Sequence, residues 1–524
     1  MKRILTLLAI LLSTYTYAQD PNILWQKTFG GSQMENFHDL KQTPDGGYIL
    51  GGSSISDISG DKTENSNGHF DLWIIKIDSN GDIEWQNSIG GNGTDSLYSI
   101  ELTPDGGYII SANSSSDISG DKTEDRKGPI DYWIVKLDSL GNVLWDKTIG
   151  GSGIEWFPQI RVTTDGYYVC GTSDSDISGD KTNNSWGSDD YWLLKLDFSG
   201  NILWQNTIGG DNSDSIEAMA STSDGGCILG GYSDSNISGN KTENSRGQFD
   251  YWAVKINSSG DIEWDKTIGG NQDDVLFSIL QSSDGGYLLT GISISDISGE
   301  KTENSQGSSD YWVVKLDANG TIEWQNTIGG NDIDNSYAAQ QTTDGGYLIG
   351  GFSRSNISGD KNENGHGNYD VWIVKLNNVG IIEWQNGIGG NEIDGILSIV
   401  QAADGSFVLG GNSSSNISGD KTEDSRGEQD FWILKHTQTL GLSENPFNTA
   451  ITIYPNPTKN TLQINTQDQT IDQINIYSIT GSRLLQWEVD TISPNVDVSS
   501  LATGVYYIQF YSGKNVALKK FVKE

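Results

Sequence analysis

The chain has 524 residues, with 65 Gly, 17 Trp and only 9 Pro, and its 70 acidic against 32 basic side chains give a formal charge of −38. That balance excludes nucleic acid and anionic membranes as partners, because phosphate recognition needs a basic footprint. Two cysteines, Cys170 and Cys227, and four histidines exclude a disulfide framework or a four-ligand zinc site, while 35% hydrophobic and 10% aromatic residues exclude wholesale disorder.

Residues 1–18 read as a secretory signal: Lys2 and Arg3, an apolar run from Ile4 to Leu12, then Thr16-Tyr17-Ala18 with cleavage after Ala18. No later stretch approaches the ~18 apolar residues of a membrane span, so no transmembrane segment is expected.

Residues 19–436 repeat. Trp-x-x-x-x-Gly-Gly begins at Trp25, Trp85, Trp145, Trp204, Trp264, Trp324 and Trp384, with spacings of 60, 60, 59, 60, 60 and 60. A second motif, Asp-x-Trp-x-x-Lys, centres on Trp73, Trp133, Trp192, Trp252, Trp312, Trp372 and Trp432. Each period reads as four strands, illustrated by a (Ser96 to Thr103), b (Tyr108 to Ala112), c (Tyr132 to Leu137) and d (Val143 to Ile149). Asp-Gly and Asn-Gly pairs between apolar runs supply the tight turns. The fold class is therefore all-β, a seven-bladed β-propeller of about 60-residue repeats. A lone strand d, Ile23 to Phe29, opens the region and strand c, Phe431 to Lys435, ends it, so the terminal blade is expected to close with strand d from the N-terminus. The recurring tryptophans read as inter-blade core, and the strand-c lysines, Lys76 through Lys435, as stems with a carboxylate partner.

The d–a and b–c loops should share one face, where function is expected. The b–c loop repeats Ser-x-Ser-Asp/Asn-Ile-Ser-Gly-Asp-Lys-Thr-Glu, and its isoleucines, Ile58 through Ile417, are expected to anchor the loop to the blade. The loop's Asx and Ser residues read first as turns that cap their own backbone; alternating oxygen donors at Asp57 and Asp61, and at Asp117 and Asp121, make calcium the alternative, and no other cofactor is expected. A carboxylate follows each Gly-Gly pair: Glu35, Asp95, Glu155, Asp214, Asp274, Asp334 and Asp394. In a closed ring these would encircle the channel mouth, held by backbone donors or by a shared cation.

Positions that break the repeat are better specificity candidates. Before the late loop Gly stand Asn67, Lys127, Trp186, Arg246, Gln306, His366 and Arg426, and the third repeat adds Trp156. Trp156, Trp186, Lys127, Arg246, His366 and Arg426 are the expected ligand contacts, the two tryptophans forming a stacking platform. Scattered histidines and the lack of a nucleophile or phosphate-loop motif give no catalytic residue, so a non-enzymatic role is expected.

Residues 437–448 read as a linker and 449–524 as a second β domain, with strands Ile451 to Tyr454, Thr461 to Asn465, Gln473 to Ser478, Leu484 to Val489, Gly504 to Tyr511 and Val516 to Val522. Here Ile453-Tyr454-Pro455-Asn456-Pro457, Ile476-Tyr477-Ser478-Ile479-Thr480-Gly481, Leu501-Ala502-Thr503-Gly504-Val505-Tyr506 and the basic end at Lys519 to Lys523 resemble the type A C-terminal sorting domain of the type IX secretion system of Bacteroidetes. The resemblance implies an immunoglobulin-like sandwich read by the outer-membrane translocon. It makes Tyr454, Pro455, Asn456, Pro457, Gly481, Gly504, Tyr506, Lys519 and Lys523 the sorting motif and the secretion machinery a partner. The propeller is similar to Gly-Gly/Asp-Gly-Gly-Tyr repeats of surface proteins that carry such tails.

The expected protein is therefore secreted or displayed at the cell surface via periplasm and outer membrane, recognising a glycan or protein through its loop face. The alternatives are a polysaccharide-active hydrolase or lyase and a structural surface-layer component.

Overall fold

A computed structural model describes residues 22–437 and 451–524, apart from 467–469, 479–482, 493 and 513–514. The signal segment and its Ala18 lie outside the described residues, as do most of the linker and Gly481. Contacts divide the chain into two compact units, 1–438 and 439–524.

The first unit is all-β, with no helix among its described residues. Its 28 strands form seven four-stranded antiparallel sheets, each paired in the order a-b-c-d. In the second repeat these are Asp95–Leu102, Tyr108–Ser114, Asp131–Leu137 and Val143–Ile149, within two residues of the sequence reading at every boundary. The last sheet takes its strand d from the start of the unit: Ile23–Phe29 pairs with Asp430–His436, setting Thr28 opposite Trp432 and Phe29 opposite Phe431. Each strand a packs beside strands a and b of the preceding sheet, and Glu35–Gln42 packs beside Asp394–Gln401, which closes the circle. The arrangement is propeller-like.

Strand c is buried on both faces along its whole length, which explains its near-continuous apolar sequence. Its tryptophans, Trp73 to Trp432, are among the largest fully buried side chains. The strand-d tryptophans are mostly half-buried and cover the next sheet: Trp85 meets Tyr108 edge-on at 5.9 Å and lies over Gly141. Gly141 sits at φ 85° in the c–d turn, where a side chain would be strained and would also strike that indole. The strand-c lysines find carboxylates in the a–b turn and on strand d, as in Lys76 with Asp45 (3.0 Å) and Glu84 (2.7 Å).

The second unit holds a three-stranded sheet, with Thr461–Asn465 between Thr452–Tyr454 and Asn495–Asp497. A four-stranded sheet runs Arg483–Ile492, Thr470–Ser478, Gly504–Ser512, Asn515–Lys523. Leu462, Ile464 and Val496 from one sheet and Ile474, Ile476, Ile508, Phe510 and Phe521 from the other share one core. The short strand Asn495–Asp497 had no sequence signal, since three residues give too little alternation to register. Asn456 ties the start of this unit to its end, its amide donating to the Lys520 carbonyl at 3.0 Å and its Oδ1 accepting from the Val522 N–H at 2.9 Å.

Candidate functional site

The seven carboxylates after Gly-Gly do not face the channel mouth. Each is fully buried at the first position of strand a. Asp95 accepts from the Gly91 N–H (2.7 Å) and the Ser116 hydroxyl (2.8 Å), and Glu155 accepts from Gly151, Ser173 and Ser175. The backbone donors anticipated from sequence are therefore present, and the Gly-Gly turn wraps the carboxylate instead of presenting it to the channel mouth. Beside each lies the equally buried first residue of strand c from the preceding sheet, so two acids share every junction. Burial pushes the carboxyls of Glu35 and Glu155 up to about 7 and those of Asp71, Asp190, Asp250 and Asp310 up to about 6.

The b–c isoleucines are also corrected. Ile58, Ile118, Ile177, Ile237, Ile297, Ile357 and Ile417 are 59–63% exposed and anchor nothing. Their backbone is what is fixed: each N–H donates to an Asn or Asp side chain seven residues on, as in Ile58 to Asn65 at 3.0 Å. The calcium expectation meets a different arrangement as well. Asp61 accepts from the Gly30 N–H (3.2 Å), Asp121 from the Gly90 N–H (3.1 Å), and Asp117 pairs with Arg126 (3.3 Å), while Asp57 offers its backbone carbonyl to the Ser59 hydroxyl. Among the described residues no group of three or more His, Cys, Asp or Glu could hold a metal ion.

The symmetry-breaking residues prove to be staples between consecutive loops. Their backbone is pinned the same way in every repeat, the N–H donating to the first Asp of strand c, for example Arg246 to Asp250 at 2.6 Å. Their side chains then reach the Gly-Asp of the next b–c loop, which is Gly-Asn in the fourth repeat and Gly-Glu in the fifth. Lys127 meets Asp180 (2.6 Å), Arg246 meets Glu300 (2.6 Å), His366 meets Asp420 (3.4 Å), Arg426 meets Asp61 (2.6 Å), and the Trp186 indole lies on Gly239. Trp156 sits half-buried on strand a beside Phe157, with ring centroids 6.1 Å apart. No ring contact joins it to Trp186, so the two indoles do not pack on each other.

What the sequence reading missed lies inside the ring. A cavity of about 480 Å³ is lined by all seven strands a. In six of them a β-bulge falls after the third residue and turns His38, Tyr98, Glu217, Phe277, Tyr337 and Leu397 inward. In the third repeat Phe157 takes this place. The available signal was the fourth position of strand a, which varies while its surroundings repeat, as the staple position does. A larger pocket, about 710 Å³, opens at the a–b turns of the third and fourth repeats, but its charged groups are mutually paired, Lys195 with Asp165 at 2.5 Å and Lys255 with Asp224 at 2.7 Å.

The second unit resolves its own identity. Residues 452–524 match the family of the secretion system C-terminal sorting domain. A tail of this family implies export to the cell surface or secretion, and contact with the secretion machinery. In the sorting domain, Tyr506 donates to the Ala502 carbonyl at 2.9 Å and stacks on Phe521 at 5.6 Å, while Tyr454 is half exposed and Lys523 largely buried. Pro455 and Pro457 follow cis peptide bonds. Thr458, next in line, hydrogen-bonds the backbone of Val522 and Glu524, so the Tyr-Pro-Asn-Pro segment is sewn to the last strand.

No curated protein matches the chain. Similar solved structures include Kuenenia stuttgartiensis hydrazine synthase (12% identity, 73% of this chain and 94% of that one, TM-score 0.41). Sqt1 from Chaetomium thermophilum (11%, 79% and 98%, 0.39) and BBS1N in complex with ARL6DN (9%, 79% and 96%, 0.43) are others. At these levels nothing about activity transfers.

Proposed function

We propose that this is a seven-bladed β-propeller joined to an immunoglobulin-like sorting domain, exported by the type IX system, and that it is a binding protein and not an enzyme. It docks a protein surface through its loop face. The observation that carries this reading is the crown of seven exposed isoleucines on backbone held rigid by the side-chain caps. Exposed apolar side chains that could have been polar at no cost to the scaffold mark an interaction surface. Branched aliphatic side chains favour an apolar protein patch over a sugar, which would call for flat aromatic platforms. The strong negative charge around them selects a partner with a basic rim.

The test is retention of the full-length protein on a panel of purified surface proteins and on a glycan array. Binding to a protein that disappears in Ile58→Ser/Ile237→Ser/Ile417→Ser supports the reading. Retention on glycans alone, turnover of a polysaccharide panel, or self-association without a ligand would replace it with the glycan, enzyme or surface-layer reading.

A further inference from the structure

The central cavity has a composition that the scaffold does not require. Around the ring, the inward residues fall into two aromatic arcs. His38, Tyr98 and Phe157 form one, with ring centroids 5.0 Å and 5.4 Å apart, and Phe277 and Tyr337, 4.6 Å apart, form the other. Glu217 occupies the position between the arcs, with Phe157 preceding it and Phe277 following it in ring order, and Leu397 closes the far side.

Glu217 has no hydrogen-bond or ion-pair partner among the described residues, and burial pushes its carboxyl up to about 8. Glu217 lines the cavity, and its charge is felt by Tyr98 and Tyr337 on opposite arcs as well as by Tyr191 and Tyr232 in the sheets behind it. The cations that line the cavity are already engaged: Lys41 with Asp39 (3.1 Å) and Glu101 (3.5 Å), and Arg161 with Glu101 (3.4 Å). His38 is held neutral by burial, its imidazole lowered to about 4. Among the described residues no cation pairs with Glu217. The ionised form is costly in such surroundings, so the carboxyl keeps its proton at neutral pH until a cation arrives to draw it off.

Phe157 supplies a second, independent observation. It is the only non-glycine with positive φ among the described residues, at 55°. The neighbouring Pro158 is buried and offers its carbonyl to the Ser111 hydroxyl, so the third repeat cannot turn its bulge residue inward as the others do. A left-handed backbone, disfavoured for a side chain of this size, instead swings the preceding phenylalanine into the collar and completes the arc beside Glu217.

We propose that the channel is a binding site for a small organic ammonium ion, with Glu217 as its counter-ion and the faces of Tyr98, Phe157, Phe277 and Tyr337 as its walls. Aromatic faces attract a cation through their quadrupole and suit an alkylated ammonium that has few or no N–H groups to satisfy. A hard metal ion would need several oxygen ligands, and of the two carboxylates that line the cavity Asp39 is already paired with Lys41, which leaves Glu217. The volume, about 480 Å³, falls in the range of small-ligand pockets. The inference concerns the channel and does not depend on what docks at the loop face.

The experiment is calorimetric titration of the full-length protein with choline, tetramethylammonium and the uncharged tert-butyl isostere of choline. Choline should bind saturably, the isostere about tenfold more weakly, and Glu217→Gln should weaken choline about tenfold while leaving the isostere unchanged, a difference of ~1.4 kcal/mol. Tyr337→Leu, which keeps apolar volume but removes the ring face, should also weaken choline. Should Glu217→Gln fail to fold by thermal melting, the isostere comparison and Tyr337→Leu decide. Equal binding of isostere and choline, unchanged affinity in a folded Glu217→Gln, or no saturable binding of either cation overturns the proposal.

Discussion

Arg426 donates to Asp61 across 2.6 Å, joining the last b–c loop of the chain to the first. The same Asp61 accepts from the Gly30 N–H, so one carboxylate gathers the loops of the terminal sheet and of its neighbour. Burial outweighs the guanidinium and holds the Asp61 carboxyl above its usual range, which is why the pair closes the ring without dominating its stability. Arg426→Ala should cost about 1 kcal/mol in urea unfolding, because both side chains are partly exposed. A double-mutant cycle with Asp61→Ala isolates the coupling. Coupling indistinguishable from zero would mean that the strand pairing of Ile23–Phe29 closes the ring unaided.

The buried acids set the pH dependence. Glu35 and Glu155, raised to about 7, and Asp71, Asp190, Asp250 and Asp310, raised to about 6, bind protons in the folded state that the unfolded chain, with carboxyls near about 4, has already released. Their contribution is fully present below about pH 4 and lost as pH rises through 6 to 7. The a–b turn acids act in the opposite sense. At Asp45 burial is the largest single influence, but the Thr43 hydroxyl, the Gly47 N–H and Lys76 together outweigh it and lower the carboxyl to about 2, as also happens at Asp105, Asp224 and Asp404. Their stabilisation is lost only as pH falls from about 4 through 2. Melting temperature should therefore rise from pH 8 to pH 5 and fall again in stronger acid. A melting temperature that fell steadily from pH 8 to pH 5 would contradict the buried-acid assignment.

The first glycine of each Gly-Gly pair lies against the first Asp of strand c, and a methyl at Gly90 would collide with the Asp71 carboxylate. The second lies against a loop serine, Ser116 in the case of Gly91. Gly90→Ala should destabilise by about 1–3 kcal/mol, the usual cost of overpacking a buried site. Gly106→Ala is a useful contrast: no atom lies near the added methyl, and only its φ of 85° resists substitution. Chemical denaturation of the two variants distinguishes a steric cost from a purely conformational one.

Deleting residues 452–524 should leave the first unit folded, since its core is built within 22–437, but should stop its delivery to the cell surface. Fractionation of the producing cells reads this directly. Normal surface delivery of the truncated chain would show that another segment carries the export signal.

The sequence by itself determined the period, the four strands of each repeat and the borrowed terminal strand. All three follow from local chemistry: turn glycines, alternation, and tryptophans fixed 60 residues apart. It also determined the tail, whose motif residues fall in four short runs in a fixed order. What only the tertiary structure decided was direction. Whether Ile58 anchors or protrudes, whether Glu35 faces water or a Gly-Gly turn, and whether Arg426 waits for a ligand or grips Asp61 depends on groups 4 to 365 residues away in the chain. The inward aim of Glu217 depends on a bulge, a shift of register between two strands that leaves no mark on composition or period. A repeat makes every position look structural, and the channel site is visible only once seven strands a are brought around one axis.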